Sequence, residues 1–171
     1  VRTIRLMSEV RVVKRCPRDV AHSREKAKRR SVPPSPRKEE VRWLALGAST
    51  GGPPVLQRLL SDLAPGLAVP VLVVQHIADG FLPGMVDWLT KRCALPVHIG
   101  SHRERPLPGH AYFAPDGYHM GVDEEGLLVM SPSLPEQGHR PAVSFLFRSL
   151  AACDPRGTVA VLLTGMVKDG A

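Results

Sequence analysis

The sequence contains few aromatic residues and no long hydrophobic run. Phenylalanine, tryptophan and tyrosine make up 5% of the chain, whereas hydrophobic residues together make up 43%. This composition predicts a mainly aliphatic core, which is typical of α/β or helical proteins rather than of aromatic-rich β barrels. The longest apolar runs, residues 69–74 and 159–163, are far shorter than the roughly 20 residues that a membrane span requires. No secretion-signal pattern is visible, so we expect no membrane insertion.

Cysteine pairs and the common cofactor motifs are also missing. The three cysteines, Cys16, Cys93 and Cys153, form no CxxC pair, which favours a reducing cytoplasm over a disulfide scaffold. The glycine-rich stretch 47–52 has neither the GK[ST] ending of a P-loop nor the GxGxxG spacing of a dinucleotide site. Five histidines show no metal-ligand spacing, and we interpret them as surface or loop residues: His98, His102, His110, His119 and His139. We therefore expect no cofactor and no metal.

The excess of positive charge is confined to the start of the chain. The sequence holds 23 Lys and Arg against 16 Asp and Glu, a net charge of +7. Residues 1–40 carry 13 of these basic and 5 of these acidic residues, a net of +8, so residues 41–171 carry 10 and 11, a net of −1. A nucleic-acid-binding domain should present a basic face on its folded part. The distribution argues against a nucleic-acid partner.

Residues 1–40 are predicted to form a flexible basic linker. Residues 24–30 are nearly all charged and residues 32–36 are rich in proline. Such a segment buries too little apolar surface to offset its ordering entropy, and we interpret its charges as a solvated spacer. A linker at this position, in a chain that opens with Val1, suggests that another segment precedes it.

From residue 41 onwards, apolar strands alternate with amphipathic helices. Strands are predicted at 41–46, 70–74 and 157–163, with shorter strands at 97–99 and 111–113, a hairpin over 119–130, and helices from Pro53, over 81–93 and over 143–152. Unbroken apolar strands separated by helices are typical of a parallel sheet that is covered on both faces. The predicted fold is a doubly wound, Rossmann-like α/β domain with a mainly parallel sheet.

Three chemically notable residues follow the three strongest strands. Ser49 comes after the first, His76 after the second and Asp169 after the last. Ligand sites of open parallel sheets form at the carboxyl ends of the strands, so these side chains are predicted to converge. A hydroxyl, an imidazole and a carboxylate are the groups needed for acyl transfer. Glycines around Ser49 allow a sharp turn that leaves the hydroxyl uncovered.

Each of these residues also has a simpler explanation when it is taken alone. The stretch around Ser49 is compatible with an ordinary turn between a strand and a helix. His76 alone is more typical of a hydrogen-bonded core histidine, and Asp169 before a glycine is most often a turn residue. Only their joint placement at three strand ends favours catalysis.

Four sequence blocks become specific in combination. They read LGASTGGP at 46–53, VVQHI at 73–77, GHRP at 138–141 with FLFRS at 145–149, and LTGM at 163–166 with DGA at 169–171. In this order, they resemble the catalytic domain of the chemotaxis protein-glutamate methylesterases, the CheB type. The resemblance covers residues 41–171. Because that family continues beyond the last block, the domain is expected to be truncated at its C-terminus.

The resemblance implies a reaction and a set of residue roles. Members of the family hydrolyse methyl esters on glutamate side chains of methyl-accepting chemoreceptors, and many also deamidate receptor glutamines. By position, Ser49 is the nucleophile, His76 the general base and Asp169 its orienter, while the Met166 N–H is an oxyanion donor and Thr50 supports the site. The resemblance further implies a cytoplasmic protein whose partners are the chemoreceptor, an upstream receiver domain and its histidine kinase.

Two alternatives to an active esterase stay open at this point. One is a catalytically impaired remnant that only binds a receptor or another partner. It is motivated by Val167, which stands where the family usually has glycine, and by the end of the chain at Ala171. The other is a Rossmann-like domain that binds a small molecule or nucleotide. This hypothesis rests only on the glycine-rich turn.

Overall fold

The computed structural model describes residues 40–63, 66–165 and 169–170. Within these ranges, five parallel strands form one sheet: β1 (Trp43–Ala48), β2 (Val71–Gln75), β3 (Val97–Ile99), β4 (Ala111–Phe113) and β7 (Thr158–Thr164). Their order in the sheet is β3-β4-β2-β1-β7. Two further strands, β5 (His119–Val122) and β6 (Leu128–Ser131), pair antiparallel as a separate hairpin. The predicted linker lies outside the described residues, apart from Glu40.

Helices cover both faces of the sheet, as the sequence predicts. They are α1 (Gly52–Asp62), α2 (Leu82–Thr90) and α3 (Val143–Cys153). Neighbouring strand residues point to opposite faces, so one strand supplies both cores. On one face, Leu46 and Val73 pack in the cluster that includes buried residues of α1 and α2. On the other face, Ala45 and Leu72 pack in the cluster that includes α3 and the hairpin. The predicted doubly wound α/β fold is confirmed.

The central strands run slightly further toward their carboxyl ends than the hydrophobic pattern predicts. Strand β1 is predicted at 41–46 but spans Trp43–Ala48, because its pairing with β2 continues to Ala48 opposite Gln75. The strand therefore ends directly before Ser49. The position at which β1 ends is therefore determined by its backbone pairing with β2 rather than by the hydrophobicity of its residues. No helix within the described ranges is long and apolar enough to cross a membrane.

Candidate active site

The carboxyl ends of β1, β2 and β7 bring together the residues of the predicted site. Ser49 directly follows β1, and its N–H donates to the carbonyl of Thr164 at the end of β7, 2.8 Å away. His76 directly follows β2, and its N–H donates to the carbonyl of Ala48, 2.9 Å away. These bonds extend the pairing of the sheet by one step. They place Ser49 and His76 side by side at the edge where parallel sheets bind ligands.

His76 and Asp169 form a direct side-chain contact. The Nε2 atom of His76 lies 3.0 Å from Oδ2 of Asp169, and the Asp169 side chain is 0% exposed. The same carboxylate accepts the backbone N–H of Val143 at 2.6 Å and that of Ser144 at 2.8 Å. These are the first two N–H groups of α3, which have no partner within their own helix. The positive end of the α3 dipole therefore faces the carboxylate.

The surroundings of Asp169 keep its carboxylate charged. Burial by itself raises the pKa of this group. The polar side chain of Ser144 and the N–H groups of Ser144 and Val143 act in the opposite direction, as does nearby His76. The opposing effects prevail, so the pKa of Asp169 lies below its ordinary value. Asp169 can therefore orient and stabilise an imidazole without taking its proton.

The second ring nitrogen of His76 is left available. Nε2 faces a carboxylate, which only accepts, so Nε2 carries the proton and neutral His76 has its lone pair on Nδ1. This Nδ1 is buried and has no hydrogen-bond partner among the described residues. Burial, and then the charge of His139, lower the pKa of His76, and Asp169 only partly offsets them. A neutral imidazole with a free lone pair is suited to act as a general base near pH 7.

Gln75 connects the backbones of the predicted nucleophile and base. Its side chain is buried at the end of β2, and Nε2 donates to the Ser49 carbonyl at 2.9 Å and to the His76 carbonyl at 2.8 Å. No role for Gln75 is predicted from the sequence. A signal was present, because Gln75 is the one polar residue in the otherwise apolar strand VLVVQ. A buried amide in such a strand needs hydrogen-bond partners.

The turn between β1 and α1 is fitted closely around Gln75. A Cβ atom at Gly52 would overlap Oε1 of Gln75, so only glycine fits without movement. Gly51 has a φ of 78°, a left-handed conformation that also favours glycine. The N–H of Gly52 donates to the Ser49 carbonyl at 2.8 Å, which closes the turn. Gly52 thus allows the close approach of the Gln75 side chain, whereas Gly51 allows the left-handed backbone conformation.

Among the predicted site residues that the structure describes, His76 and Asp169 are in direct side-chain contact, whereas Ser49 is not hydrogen-bonded to His76. Ser49 is 8% exposed, and no hydrogen bond joins its hydroxyl to the His76 ring within the described ranges. Thr50 is exposed on the turn directly after Ser49. Met166 and Val167 lie outside the described residues. No three His, Cys, Asp or Glu side chains of the described part gather as a metal ion would require.

Two of the remaining histidines, His119 and His139, make contacts that the sequence does not predict. The prediction of a surface or loop position is wrong for His119, which is 0% exposed in β5. His98 lies in β3 rather than in a loop. His139 does lie in a loop, but its ring stacks on that of His76, with centroids 3.9 Å apart. The partners of His119 and His139 are distant in the sequence, so residue spacing does not predict these contacts.

A small pocket opens beside the base. It has a volume of about 160 Å³ and is lined by His76, Ile77, Asp79, Gly138, His139, Arg140 and Pro141. Two loops form it, the one after β2 and the one that leads into α3. The size suits a short side-chain group rather than a whole cofactor. The pocket adjoins the predicted base, and Ser49 is not among its lining residues.

Comparisons with known proteins agree on one family. The family model described as CheB methylesterase matches residues 44–171. The chain is 46% identical over 173 residues to a protein from Syntrophus aciditrophicus (strain SB) named protein-glutamate methylesterase/protein-glutamine glutaminase 1, covering 100% of this chain and 49% of that protein. It is 47% identical to a similarly named protein from Geobacter metallireducens, again covering 100% and 49%. The chain thus spans about half the length of these relatives.

A solved structure supports the same relationship. The crystal structure of the Thermotoga maritima CheB methylesterase catalytic domain superposes with a TM-score of 0.73 at 33% sequence identity. The match covers 77% of this chain and 71% of that one. The similarity therefore extends over the greater part of the sheet-and-helix domain.

Proposed function

Because the chain belongs to the CheB methylesterase family, we propose that it is the catalytic part of a serine esterase that hydrolyses methyl esters on glutamate side chains of chemoreceptors. In this proposal Ser49, His76 and Asp169 form the triad. The observation that carries it is the hydrogen bond between His76 and buried Asp169, which leaves Nδ1 of His76 without a hydrogen-bond partner among the described residues. Catalytic hydrogen bonds are often longer before substrate binds, so the Ser49–His76 contact is expected to form in the substrate complex.

The first half of the reaction transfers the acyl group to the enzyme. The Ser49 hydroxyl attacks the ester carbonyl carbon while Nδ1 of His76 takes its proton. Asp169 stabilises the resulting imidazolium through Nε2. The tetrahedral intermediate then breaks its bond to the methoxy oxygen, which leaves as methanol with the proton from His76. A glutamyl ester of Ser49 remains.

Water completes the reaction in the second half. His76 takes a proton from a water molecule as the water oxygen attacks the acyl carbon. The bond to the Ser49 oxygen breaks, and Ser49 recovers its proton from His76. The products are a glutamate carboxylate and the free enzyme. His76 thus acts twice as base and twice as acid, and neither step requires an external oxidant or cofactor.

Backbone groups after the nucleophile are proposed to stabilise the negative oxygen of the intermediate. The N–H groups of Thr50 and Gly51 donate no hydrogen bond within the described residues, and they lie at the positive N-terminal end of α1. The Met166 N–H, implied by the family resemblance, is the third candidate. One such donor is typically worth about 3–4 kcal/mol of transition-state stabilisation.

A second activity on the same site is deamidation of glutamine. The curated relatives carry protein-glutamine glutaminase in their names alongside the methylesterase. The triad chemistry is the same, except that ammonia replaces methanol as the leaving group. Because an amide is less reactive than an ester, we expect this reaction to be slower.

Regulation is proposed to come from the rest of a longer protein. The family resemblance implies an upstream receiver domain and its histidine kinase, and we propose both as partners. A cytoplasmic location belongs to the same proposal. It is supported by Cys93 and Cys153, which are unpaired thiols as expected in a reducing compartment.

Labelling of the nucleophile tests the proposal directly. The full-length protein should react stoichiometrically with a fluorophosphonate probe and release methanol from a methylated chemoreceptor. Ser49→Ala should lose labelling and reduce kcat by at least about 10⁴-fold, since the attacking oxygen is gone. Ser101→Ala is the matched control, because Ser101 is exposed and its hydroxyl makes no hydrogen bond among the described residues.

The alternatives predict different results in the same experiment. A folded full-length protein that neither takes up the probe nor releases methanol would be an impaired remnant. A nucleotide-binding domain would instead gain thermal stability with nucleotide, which the triad proposal does not predict.

A further inference from the structure

His119 is a fully buried histidine whose two ring nitrogens both make hydrogen bonds. It lies at the start of β5 and is 0% exposed. Nε2 lies 3.0 Å from the carbonyl oxygen of Leu134, and the N–H of Ala142 points to Nδ1 at 3.1 Å. One ring face stacks against Phe145, with centroids 4.8 Å apart. The ring is thus held on three sides.

The two bonds determine the protonation of the ring. A backbone N–H only donates, so Nδ1 of His119 must be unprotonated to accept from Ala142. A carbonyl only accepts, so Nε2 must carry the proton that is donated to Leu134. His119 is therefore neutral with its proton on Nε2. No lone pair or proton is left over for chemistry on a substrate.

The two groups that His119 holds belong to the segment and the helix start that contact the proposed base through His139 and Asp169. Leu134 and Ala142 are the two ends of the segment that carries His139, the residue stacked on His76. Ala142 is also the residue directly before α3, and the next two N–H groups hold Asp169. The His119 ring is thereby linked, through segment 134–142 and the start of α3, to both His139 and Asp169, the two residues that contact the His76 imidazole.

We propose that His119 is a positioning residue, which fixes segment 134–142 and the first turn of α3 so that Asp169 and His139 stay in contact with His76. The inference rests on the proposed function, and it goes further by assigning a role in catalysis to a residue outside the triad. Misplacement of a catalytic group by about 1 Å can reduce turnover about 100-fold. Anchoring of the turn that holds Asp169 is therefore expected to affect kcat.

Two substitutions separate the hydrogen bonds of His119. His119→Asn places an amide oxygen close to the position of Nδ1, so it retains an acceptor for Ala142 and loses the bond to Leu134. His119→Gln places its amide near the position of Nε2, so it retains the bond to Leu134 and leaves the Ala142 N–H without a partner. Both variants remove the imidazole and its stacking on Phe145. A purely space-filling role predicts similar activity for the two.

The positioning role predicts an unequal result in the full-length protein. His119→Gln should lower kcat for methyl ester hydrolysis about 10- to 100-fold, with KM changed by no more than about threefold. His119→Asn should recover kcat to about tenfold above the Gln variant. Wild-type turnover in His119→Gln, or equally slow turnover in both variants, overturns the proposal.

Nuclear magnetic resonance provides a test that depends on neither variant folding. In the wild-type protein, the ring ¹⁵N shifts of His119 should show a protonated Nε2 and an unprotonated, hydrogen-bonded Nδ1. A proton on Nδ1 would contradict the proposal.

The same method distinguishes this inference from the proposed function. If the wild-type protein hydrolyses no ester, the proposed function fails, but the His76–Asp169 bond can still be followed through the downfield Nε2 proton of His76. That proton resonance should persist in His119→Asn and weaken or disappear in His119→Gln. Its persistence in both variants would overturn the positioning role alone.

Discussion

The imidazole rings of His76 and His139 lie face to face, with centroids 3.9 Å apart and planes inclined by 3°. At this distance, a positive charge on one ring disfavours protonation of the other. Burial lowers the pKa of His76 most, and the charge of His139 lowers it further. Asp169 raises the pKa of His76 but does not reverse the shift. His139 is therefore expected to help keep the base neutral.

Replacement of His139 by phenylalanine should move the pH dependence of activity. In the wild-type protein, the acid limb of kcat/KM should lie below about pH 6.5, the ordinary value for histidine. His139→Phe keeps an aromatic ring over His76 but removes the opposing charge, so the pKa of His76 should rise and the limb should move to higher pH. The measurement is a kcat/KM profile of both proteins. An unchanged limb, or one moved to lower pH, would contradict the role of His139.

Replacement of Asp169 by asparagine should remove both orientation and charge at the base. The amide can point its oxygen at only some of the three donors that the carboxylate accepts, and His76 loses the partner of its imidazolium. We expect kcat to fall about 10⁴-fold and the free energy of unfolding to fall by about 1–3 kcal/mol. Steady-state kinetics and urea denaturation measure the two effects. Asp62→Asn, at an exposed position of α1, is the control and should change neither.

The same carboxylate should contribute to acid stability. The pKa of Asp169 is lower in the folded protein than its ordinary value, so the folded state binds this proton less readily than the unfolded state. The resulting stabilisation is fully present above about pH 3.9 and is lost as the pH falls through the folded value. Urea denaturation at a series of acid pH values should show a smaller loss of stability in Asp169→Asn than in the wild-type protein. Parallel curves would show that Asp169 does not contribute.

Loss of the Gln75 amide should slow turnover. Gln75→Met has a similar volume but donates to neither the Ser49 nor the His76 carbonyl, so the backbones of nucleophile and base are no longer joined. We expect kcat to fall about 10- to 100-fold with a smaller change in KM. Gln57→Met provides the control, because among the described residues the Gln57 side chain bonds only Ser61, which also lies in α1. If both variants turned over at equal rates, the bridge would have no role in catalysis.

A methyl group at Gly52 should destabilise the turn that holds Ser49. Its Cβ would overlap Oε1 of Gln75 and would lie 2.9 Å from the Ala48 side chain, so Gly52→Ala requires movement of both. Overpacking of this kind typically costs about 1–3 kcal/mol. Gly84→Ala, at a helical position with nothing within 4 Å, should instead stabilise the protein by about 0.5–1 kcal/mol. Urea denaturation compares the two, and equal effects would contradict the close approach of Gln75.

Much of the fold follows from patterns that are local in the sequence. Apolar strands such as VLVVQ, which ends in Gln75, alternate with amphipathic helices, and this alternation predicts a parallel sheet covered on both faces. The same reasoning places Ser49 and His76 at strand ends. It misplaces the ends of β1 by two residues, because they depend on pairing with β2 and β7 rather than on hydrophobicity.

The contacts within the site were less accessible to such reasoning. His119 and His139 show no metal-ligand spacing, and the sequence predicts a surface or loop position for both. Their roles depend on partners 15 or more residues away, such as Leu134 and Ala142 for His119. Gln75 could have been noticed as a polar residue in a buried strand, but its partners could not have been named.

The amino-acid sequence by itself determined the class of fold, the chemical groups available for acyl transfer and their positions at strand ends, because hydrophobic periodicity and residue chemistry are local properties. Only the tertiary structure decided which nitrogen of His76 faces Asp169, that the start of α3 holds the carboxylate, and that His139 covers the ring. Those relationships arise where separate elements pack together, and hydrogen-bond geometry between distant residues is not encoded in any short stretch of the chain.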